Sequence, residues 1–130
     1  MNNCPLCWPI KEVDDQEIVI ETKNNAFIMK PQEILVGSGL IVPKQHKETV
    51  FDLSHEELME TFSLLNKVKL FLDEKYNPDG YNVGWNCFPV GGQSINHAHL
   101  HVIPRYKDEP LAYKGIRNHL KQKINKRPNI

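Results

Sequence analysis

The chain has 130 residues, of which 40% are hydrophobic and 25% charged, and its 16 basic residues are balanced by 16 acidic ones. This composition is typical of a single globular domain over residues 1–130, with enough chain to bury a core. No apolar run approaches the roughly 18 residues of a membrane span, and no signal peptide opens the chain, so we expect neither a membrane partner nor secretion.

The cysteine count and the charge distribution narrow the setting further. Three cysteines, an odd number, disfavour a secreted disulfide framework and favour a reducing cytoplasm. Basic residues crowd a C-terminal tail, about residues 114–130, that contains no acidic residue: Lys114, Arg117, Lys121, Lys123, Lys126 and Arg127. Such a tail could attract phosphorylated ligands or nucleic acid, but the charge run favours a solvated, partly frayed terminus, so we expect no specific nucleic-acid partner.

Short runs of β-branched and aromatic residues, bounded by turn residues, predict the first three strands. They lie at Glu17–Glu21, Ala26–Met29 and Gly39–Val42, and Pro31 and Pro43 follow the second and the third. Strands joined by such short connections favour an antiparallel sheet.

One clear helix comes next. Ser54 is a good N-cap, and Glu57 three residues later completes the capping-box pattern. Apolar residues then recur at helical spacing and predict a stripe that packs on a sheet: Leu58, Phe62, Leu65, Val68 and Leu72. Asn77-Pro78-Asp79-Gly80 ends the helix, and Tyr81–Cys87 is typical of a fourth strand.

The most informative run follows, in which His97, His99 and His101 alternate with apolar residues and lead into Val102-Ile103-Pro104. Alternation predicts a fifth strand that ends at the proline, with the three imidazoles on one face. Neighbouring imidazoles would then start about 6.6 Å apart and the outer pair about 13 Å apart. Two neighbours can share a metal or a phosphate, but a straight strand cannot direct all three to one metal.

A glycine-containing loop, Gly91-Gly92-Gln93-Ser94, precedes the histidines. Residues without a Cβ let the backbone approach an anion closely and direct N–H groups at it. Gly-Gly alone marks only a turn, but followed by an amide, a hydroxyl and three in-register histidines it indicates an anion site.

The tail completes the predicted fold. Ile116, Leu120 and Ile124 recur at helical spacing and predict a short C-terminal helix. Together the elements predict an α+β domain with a five-stranded antiparallel sheet, one long helix and this short C-terminal helix.

Three blocks of the chain carry a resemblance to a known family. The block Gly92–Tyr106 looks like the signature of the histidine-triad nucleotide hydrolases and transferases, and Leu40–His46 and Asn82–Asn86 resemble two further family motifs. The similarity covers all but the last dozen or so residues. It implies a homodimer in which two five-stranded sheets join into one continuous sheet.

The resemblance also implies a reaction, which is attack on the α-phosphorus of a nucleoside phosphate derivative such as a dinucleoside polyphosphate or a nucleoside phosphoramidate. His99 would be the nucleophile and form a transient nucleotidyl-imidazole, and His101 would bind the phosphate oxygens. Gln93 and Ser94 match phosphate-contacting and leaving-group-contacting positions, and Asn86 matches a further contact near the phosphate. Ser94 as a cap for the turn, and Asn86 as a partner of a turn, stay open as structural alternatives.

Cys4-x-x-Cys7 is a zinc half-site that needs two more ligands. The resemblance to the zinc-containing branch, which is similar to diadenosine-polyphosphate hydrolases, implies that His46 and His97 complete a structural zinc site. Free thiols that only pack or face solvent are the alternative. Cys87 is typical of a small buried apolar residue rather than a ligand.

One departure from the family pattern bears on the substrate. Many members carry an acidic residue for the ribose hydroxyls in the turn after the second strand, and Lys30 falls at that position. A lysine cannot accept a hydrogen bond, so either Gln32 or Glu33 replaces the acid or the sugar or leaving group is unusual.

Two functional classes follow from these motifs. The first is a hydrolase or transferase that acts on nucleotide substrates through His99. The second is a nucleotide-binding, zinc-stabilised interaction protein in which catalysis is incidental. A pure binder has no need of His99, so the intact triad favours the enzyme.

Overall fold

The computed structural model describes residues 4–11 and 16–128 of the chain. Its main elements are β1 (Glu17–Glu21), β2 (Asn25–Met29), β3 (Gly39–Pro43), α1 (His55–Tyr76), β4 (Gly80–Trp85) and β5 (Leu100–Arg105). The strands form one antiparallel sheet in the order β1-β2-β3-β5-β4. The α+β fold with a five-stranded antiparallel sheet and one long helix is therefore confirmed.

β5 carries the histidine run into the centre of the sheet. It lies between β3 and β4, so that His101 pairs with Leu40 on one side and with Gly84 on the other. Alternate side chains of the strand, Leu100 and Val102, are buried in the core beneath α1. His101 of the same strand therefore lies on the opposite face of the sheet.

The predicted boundaries of this strand are wrong at both ends. β5 begins only at Leu100, so the first two histidines of the run precede it, and it continues through Pro104 to Arg105. The proline is tolerated because β3 pairs with β5 only as far as Val102. Beyond that point no β3 carbonyl requires the missing N–H, and the strand does not have to stop.

Both ends of α1 lie where the sequence predicts them. The Ser54 hydroxyl accepts a hydrogen bond from the Glu57 N–H at 3.1 Å, and the Glu57 carboxylate accepts one from the Ser54 N–H at 2.7 Å. At the other end Asn77 adopts a left-handed conformation with φ 50°. Among the described residues no helix, α1 included, is both long and apolar enough to cross a membrane.

α1 packs one face of the sheet, and the core between them consists of Phe27, Ile41, Leu64, Val68, Leu72, Leu100 and Val102. The predicted stripe is wrong at Phe62, which is 45% exposed, whereas Leu64 is completely buried. The helix is rotated so that Glu57 and Thr61 face inward, where the Thr61 hydroxyl donates to the Glu57 carbonyl at 2.7 Å. Because polar residues occupy buried positions in the first turns, apolar spacing alone could not fix the rotation.

The N-terminal segment covers the opposite face of the sheet, where a second cluster consists of Leu6, Ile10, Ala26, Ile28 and Val42. Cys4 and Trp8 pack against this cluster from the same segment. The apolar residues of the segment therefore hold its two cysteines against the face of the sheet that bears the histidines.

The predicted short C-terminal helix is wrong. The tail forms turns and a short 3₁₀ helix at Lys123–Asn125. Ile116, Leu120 and Ile124, the residues of the expected apolar stripe, are all more than half exposed. A short helix is not stable in water without a core to bury its apolar face, and this stripe has none.

The two faces of α1 generate a stability prediction. Leu64→Ala removes a completely buried side chain and should lower the free energy of unfolding by about 2–5 kcal/mol. Leu70→Ala makes the same change at a side chain that is 69% exposed and should cost less than about 0.5 kcal/mol. Urea denaturation followed by circular dichroism measures both, and equal losses would contradict the rotation of α1 described above.

Candidate active site and metal centre

The three histidines of the run divide into two groups. The His97 ring lies against His46, with ring centroids 4.9 Å apart. The His99 ring lies against His101, with centroids 5.0 Å apart. The first group meets the two N-terminal cysteines and the second does not, so two sites with different chemistry lie side by side.

Cys4, Cys7, His46 and His97 form a cluster in which all four ligand atoms lie within 4.8 Å of one another. The two Nδ1 atoms are 3.1 Å apart, the Cys7 Sγ is 3.2 Å from the Nδ1 of His46, and the Cys4 Sγ is 3.4 Å from the Nδ1 of His97. A tetrahedral ion with bonds of about 2.0–2.3 Å places its ligand atoms about 3.3–3.8 Å apart. The cluster could therefore hold a metal ion, and its donor set is two sulfur and two nitrogen atoms.

His97 is oriented for this role by its second ring nitrogen. Its Nε2–H donates to the Pro43 carbonyl at 2.9 Å, and because a carbonyl only accepts, the Nδ1 that faces the cluster carries the lone pair. Burial is the main cause that lowers the pKa of His97, against the opposing effect of this hydrogen bond. The neutral ring is the form that binds metals.

His99 has the geometry of a nitrogen nucleophile. Its Nδ1–H donates to the backbone carbonyl of His97 at 2.8 Å, which fixes the tautomer and leaves the lone pair on Nε2. The ring itself is buried, with 5% of the residue exposed. Its orientation is therefore set by the chain before any substrate arrives.

The Nε2 atom of His101 is buried and has no hydrogen-bond partner within the part of the chain that the structure describes. Burial lowers the pKa of His101, and the neighbouring His99 lowers it further. Buried polar atoms in proteins are nearly always satisfied, so an orphaned one beside a free imidazole nitrogen indicates a place for a ligand.

Gln93 holds the loop before the histidines. Its Nε2 donates to the carbonyls of Glu48 and Ile95 at 2.6 and 3.0 Å, and its Oε1 accepts from the Phe88 N–H at 2.8 Å. Both amide protons are thus used within the protein, and the contact between this side chain and phosphate stays a prediction. Gly92 has φ +96°, which explains why a glycine is required at this turn.

Two further predicted contacts lie on the same loop. Ser94 and Asn86 are both exposed, so both can reach a bound molecule. The Asn86 amide carbon also lies 3.7 Å from the position that a Cβ at Gly92 would take, so this side chain borders the turn as well. Lys30 is exposed and lines a cavity together with Lys75 and Tyr76 of α1.

The structure also brings together two residues that no sequence pattern pairs. The rings of Phe51 and Phe88 stack with centroids 6.4 Å apart and an interplanar angle of 10°. Phe88 lies on the loop that Gln93 holds, and Phe51 follows the segment whose Glu48 carbonyl Gln93 bonds. No spacing rule connects positions so far apart in the chain.

Cys87, by contrast, is half-buried and lies outside the cluster of ligand atoms described above. This partial burial agrees only in part with the prediction that Cys87 is a small buried apolar residue.

Comparison with known proteins identifies the family. A family model for the HIT domain matches residues 11–108, and the chain belongs to that family. An uncharacterized HIT-like protein of Methanocaldococcus jannaschii is 38% identical over 111 residues, which span 85% of this chain and 85% of that protein. The asymmetrical bis(5'-nucleosyl)-tetraphosphatase of Schizosaccharomyces pombe is 29% identical over 104 residues, which span 77% of this chain and 57% of that enzyme.

Solved structures agree with this assignment. A HIT family protein from Bacillus anthracis matches with a TM-score of 0.71 and 27% identity, covering 95% of this chain and 89% of that one. A zinc-bound histidine triad family protein from Mycobacterium smegmatis matches with a TM-score of 0.65 and 25% identity, covering 74% of this chain and 70% of that one.

Proposed function

We propose that this protein is a hydrolase or transferase that attacks the α-phosphate of a dinucleoside polyphosphate or a nucleoside phosphoramidate through a covalent intermediate on His99. The observation that carries the proposal is the orphaned Nε2 of His101 beside a His99 ring whose tautomer is fixed. Family membership and the similarity to a nucleoside tetraphosphatase support the same class of substrate.

In the proposed reaction the Nε2 lone pair of His99 attacks phosphorus, and the bond from phosphorus to the leaving group breaks. The His97 carbonyl, which accepts the Nδ1–H, stabilises the positive charge that the ring acquires. Water or another acceptor then attacks phosphorus, the P–N bond breaks, and neutral His99 is restored as the proton of the water passes to solvent.

The other residues bind and orient the phosphate in this proposal. His101, in the tautomer that protonates Nε2, donates to a non-bridging oxygen and so satisfies its own buried nitrogen. The Ser94 hydroxyl donates to the leaving group, and Asn86 contacts the phosphate from the edge of the loop. Gln93 holds the loop in shape through its side chain.

The first prediction of this proposal concerns the nucleophile. His99→Ala should reduce release of AMP from a diadenosine polyphosphate by on the order of 10³-fold or more, because no other group replaces the attacking nitrogen. Nucleotide binding should persist, since the remaining phosphate contacts are intact. Chromatography of the products, with exposed His119→Ala as the control, measures the effect.

Two results would contradict the nucleophile assignment. One is AMP release by His99→Ala at the wild-type rate. The other is a wild-type protein that binds nucleotide but releases no AMP from a diadenosine polyphosphate or from a nucleoside phosphoramidate. That result would favour the nucleotide-binding interaction protein instead.

We propose further that the metal of the Cys4, Cys7, His46 and His97 cluster is structural zinc. Tetrahedral coordination by two sulfurs and two imidazoles is the donor set that Zn²⁺ prefers, and a zinc-bound relative with the same fold is known. When bound, the ion would join the N-terminal segment to the sheet. The chemistry at phosphorus requires no metal.

Zinc content and stability provide the test. Purified protein should contain about one equivalent per chain, and Cys7→Ser should lower both the zinc content and the melting temperature because a ligand is lost. Cys87→Ser, at a cysteine outside the cluster, should change neither by much. If wild-type protein freed of metal melted at the same temperature as the metal-containing protein, a structural ion would be ruled out.

We also propose that the protein is a cytoplasmic homodimer joined along β4. β4 is an outer strand of the sheet, its far edge lacks a partner strand in the described part of the chain, and Val83 on it is 37% exposed. Such an edge is a template for pairing with a second copy. None of the described cysteines forms a disulfide, as is expected in a reducing compartment.

Sedimentation velocity tests the dimer. Val83→Lys places a charge in the proposed interface and, by symmetry, repels its copy, so it should shift the protein toward monomer. Ile124→Lys, at a tail residue that is 94% exposed, is the control and should leave the dimer unchanged. A monomeric wild-type protein would exclude the proposed interface.

A further inference from the structure

The exposed rings of Phe51 and Phe88 are 74% and 57% accessible, yet they are aligned with each other. Single exposed apolar residues need no explanation, because much of any protein surface is apolar. Two rings from distant segments, held parallel to within 10°, are not single scattered residues. We therefore ask which contacts hold the two rings parallel.

The Phe51 ring is carried by a rigid turn. Phe51 lies in the 3₁₀ helix Val50–Asp52, and Thr49 caps that helix with a hydroxyl that accepts the Phe51 N–H at 3.2 Å. The Asp52 carboxylate in return accepts the Thr49 N–H at 3.1 Å. Thr49 is itself buried, so the base of the ring is fixed although the ring is exposed.

The Phe88 ring is held in place against a conformational cost. Phe88 has φ 67° and ψ 158°, a region that is essentially reserved for glycine. Its carbonyl accepts the N–H groups of Gly91 and Gln93 at 3.0 and 3.1 Å, and its own N–H donates to Gln93. A glycine would adopt this backbone conformation without strain. Because phenylalanine occupies the position despite the strain, we infer that its ring has a role.

Gln93 connects both rings to the phosphate loop. One of its amide protons binds the carbonyl of Glu48, three residues before Phe51, and its amide oxygen binds the N–H of Phe88. The next residue in the chain is Ser94, the proposed contact of the leaving group. Phe88 and this proposed leaving-group contact therefore lie on one loop, which Gln93 bonds to the segment that carries Phe51.

We propose that Phe51 and Phe88 form an aromatic clamp that stacks on the base of the second nucleoside of a dinucleoside polyphosphate. This inference rests on the proposed function. The two rings are nearly parallel, with centroids 6.4 Å apart, so they offer a base aromatic faces of one orientation on which to stack. Stacking accepts any base, so the clamp selects for a second base without specifying which.

The test compares two substrates that share the first nucleoside and differ in the leaving group. Phe51→Ala and Phe88→Ala should each raise KM for diadenosine tetraphosphate by about 5- to 150-fold, the range of one lost base stack. Both should leave kcat/KM for adenosine phosphoramidate within about 2-fold, because its leaving group carries no base to stack. Phe62→Ala, at an exposed phenylalanine of α1, is the matched control and should change neither substrate.

Two further variants separate stacking from a merely structural role. Phe51→Tyr keeps a ring and should retain the wild-type KM for the dinucleotide. Phe88→Gly removes the ring together with the strain, so it should raise the melting temperature while KM for the dinucleotide still rises. Equal losses on both substrates, or an unchanged KM for the dinucleotide, would overturn the clamp while leaving the proposed function intact.

A binding measurement decides the clamp without turnover. Titration calorimetry on the His99→Ala protein should show weaker binding of diadenosine tetraphosphate when Phe51→Ala is added and unchanged binding of AMP. Unchanged binding of both would overturn the clamp. If the wild-type protein turns over neither substrate, the proposed reaction fails, and this titration still gives a positive or a negative answer for the clamp.

Discussion

His97 makes three contacts on which the rest of the site depends. Its Nδ1 faces the two cysteines and His46, its Nε2–H donates to the Pro43 carbonyl, and its own carbonyl accepts the Nδ1–H of His99. The residue therefore links the Cys4–Cys7–His46 side chains, the end of β3 and the proposed nucleophile through one backbone unit and one ring. Any movement of the cluster would move the acceptor that sets the tautomer of His99, so an ion bound there would influence the proposed reaction without taking part in it.

The start of β5 explains how one short run of histidines supplies two sites. His97 and His99 precede the strand, so neither is confined by pairing on both sides as His101 is. The backbone there is free to let the carbonyl of one residue reach the ring of the residue two positions on. A regular strand through all three would have placed neighbouring rings at one spacing, and the observed division into two ring pairs would not arise.

Much of the fold follows from the sequence, and the differences have identifiable causes. The capping box at Ser54 and the turn at Asn77 fix α1 because local hydrogen bonds decide helix ends. The rotation of α1 could not be predicted, since Thr61 is buried through a bond to its own helix and Phe62 is left outside. The tail failed to form a helix because periodicity states which residues share a face but not whether a surface exists for that face to cover.

At the candidate site, too, sequence patterns identify residues but do not predict their contacts. A motif places Gln93 next to a phosphate, but only the folded chain shows that both its amide protons are used on the carbonyls of Glu48 and Ile95. In the proposed reaction, donors to the phosphate must then come from polar atoms without a partner in the described part of the chain, such as the Nε2 of His101. The same amide bonds to the Phe88 N–H and to the Glu48 carbonyl, so in the proposed clamp a residue that the sequence marks for the phosphate also connects the segments that carry the two rings. Under the proposed function, substrate choice therefore depends on long-range pairing of loops, which no local pattern encodes.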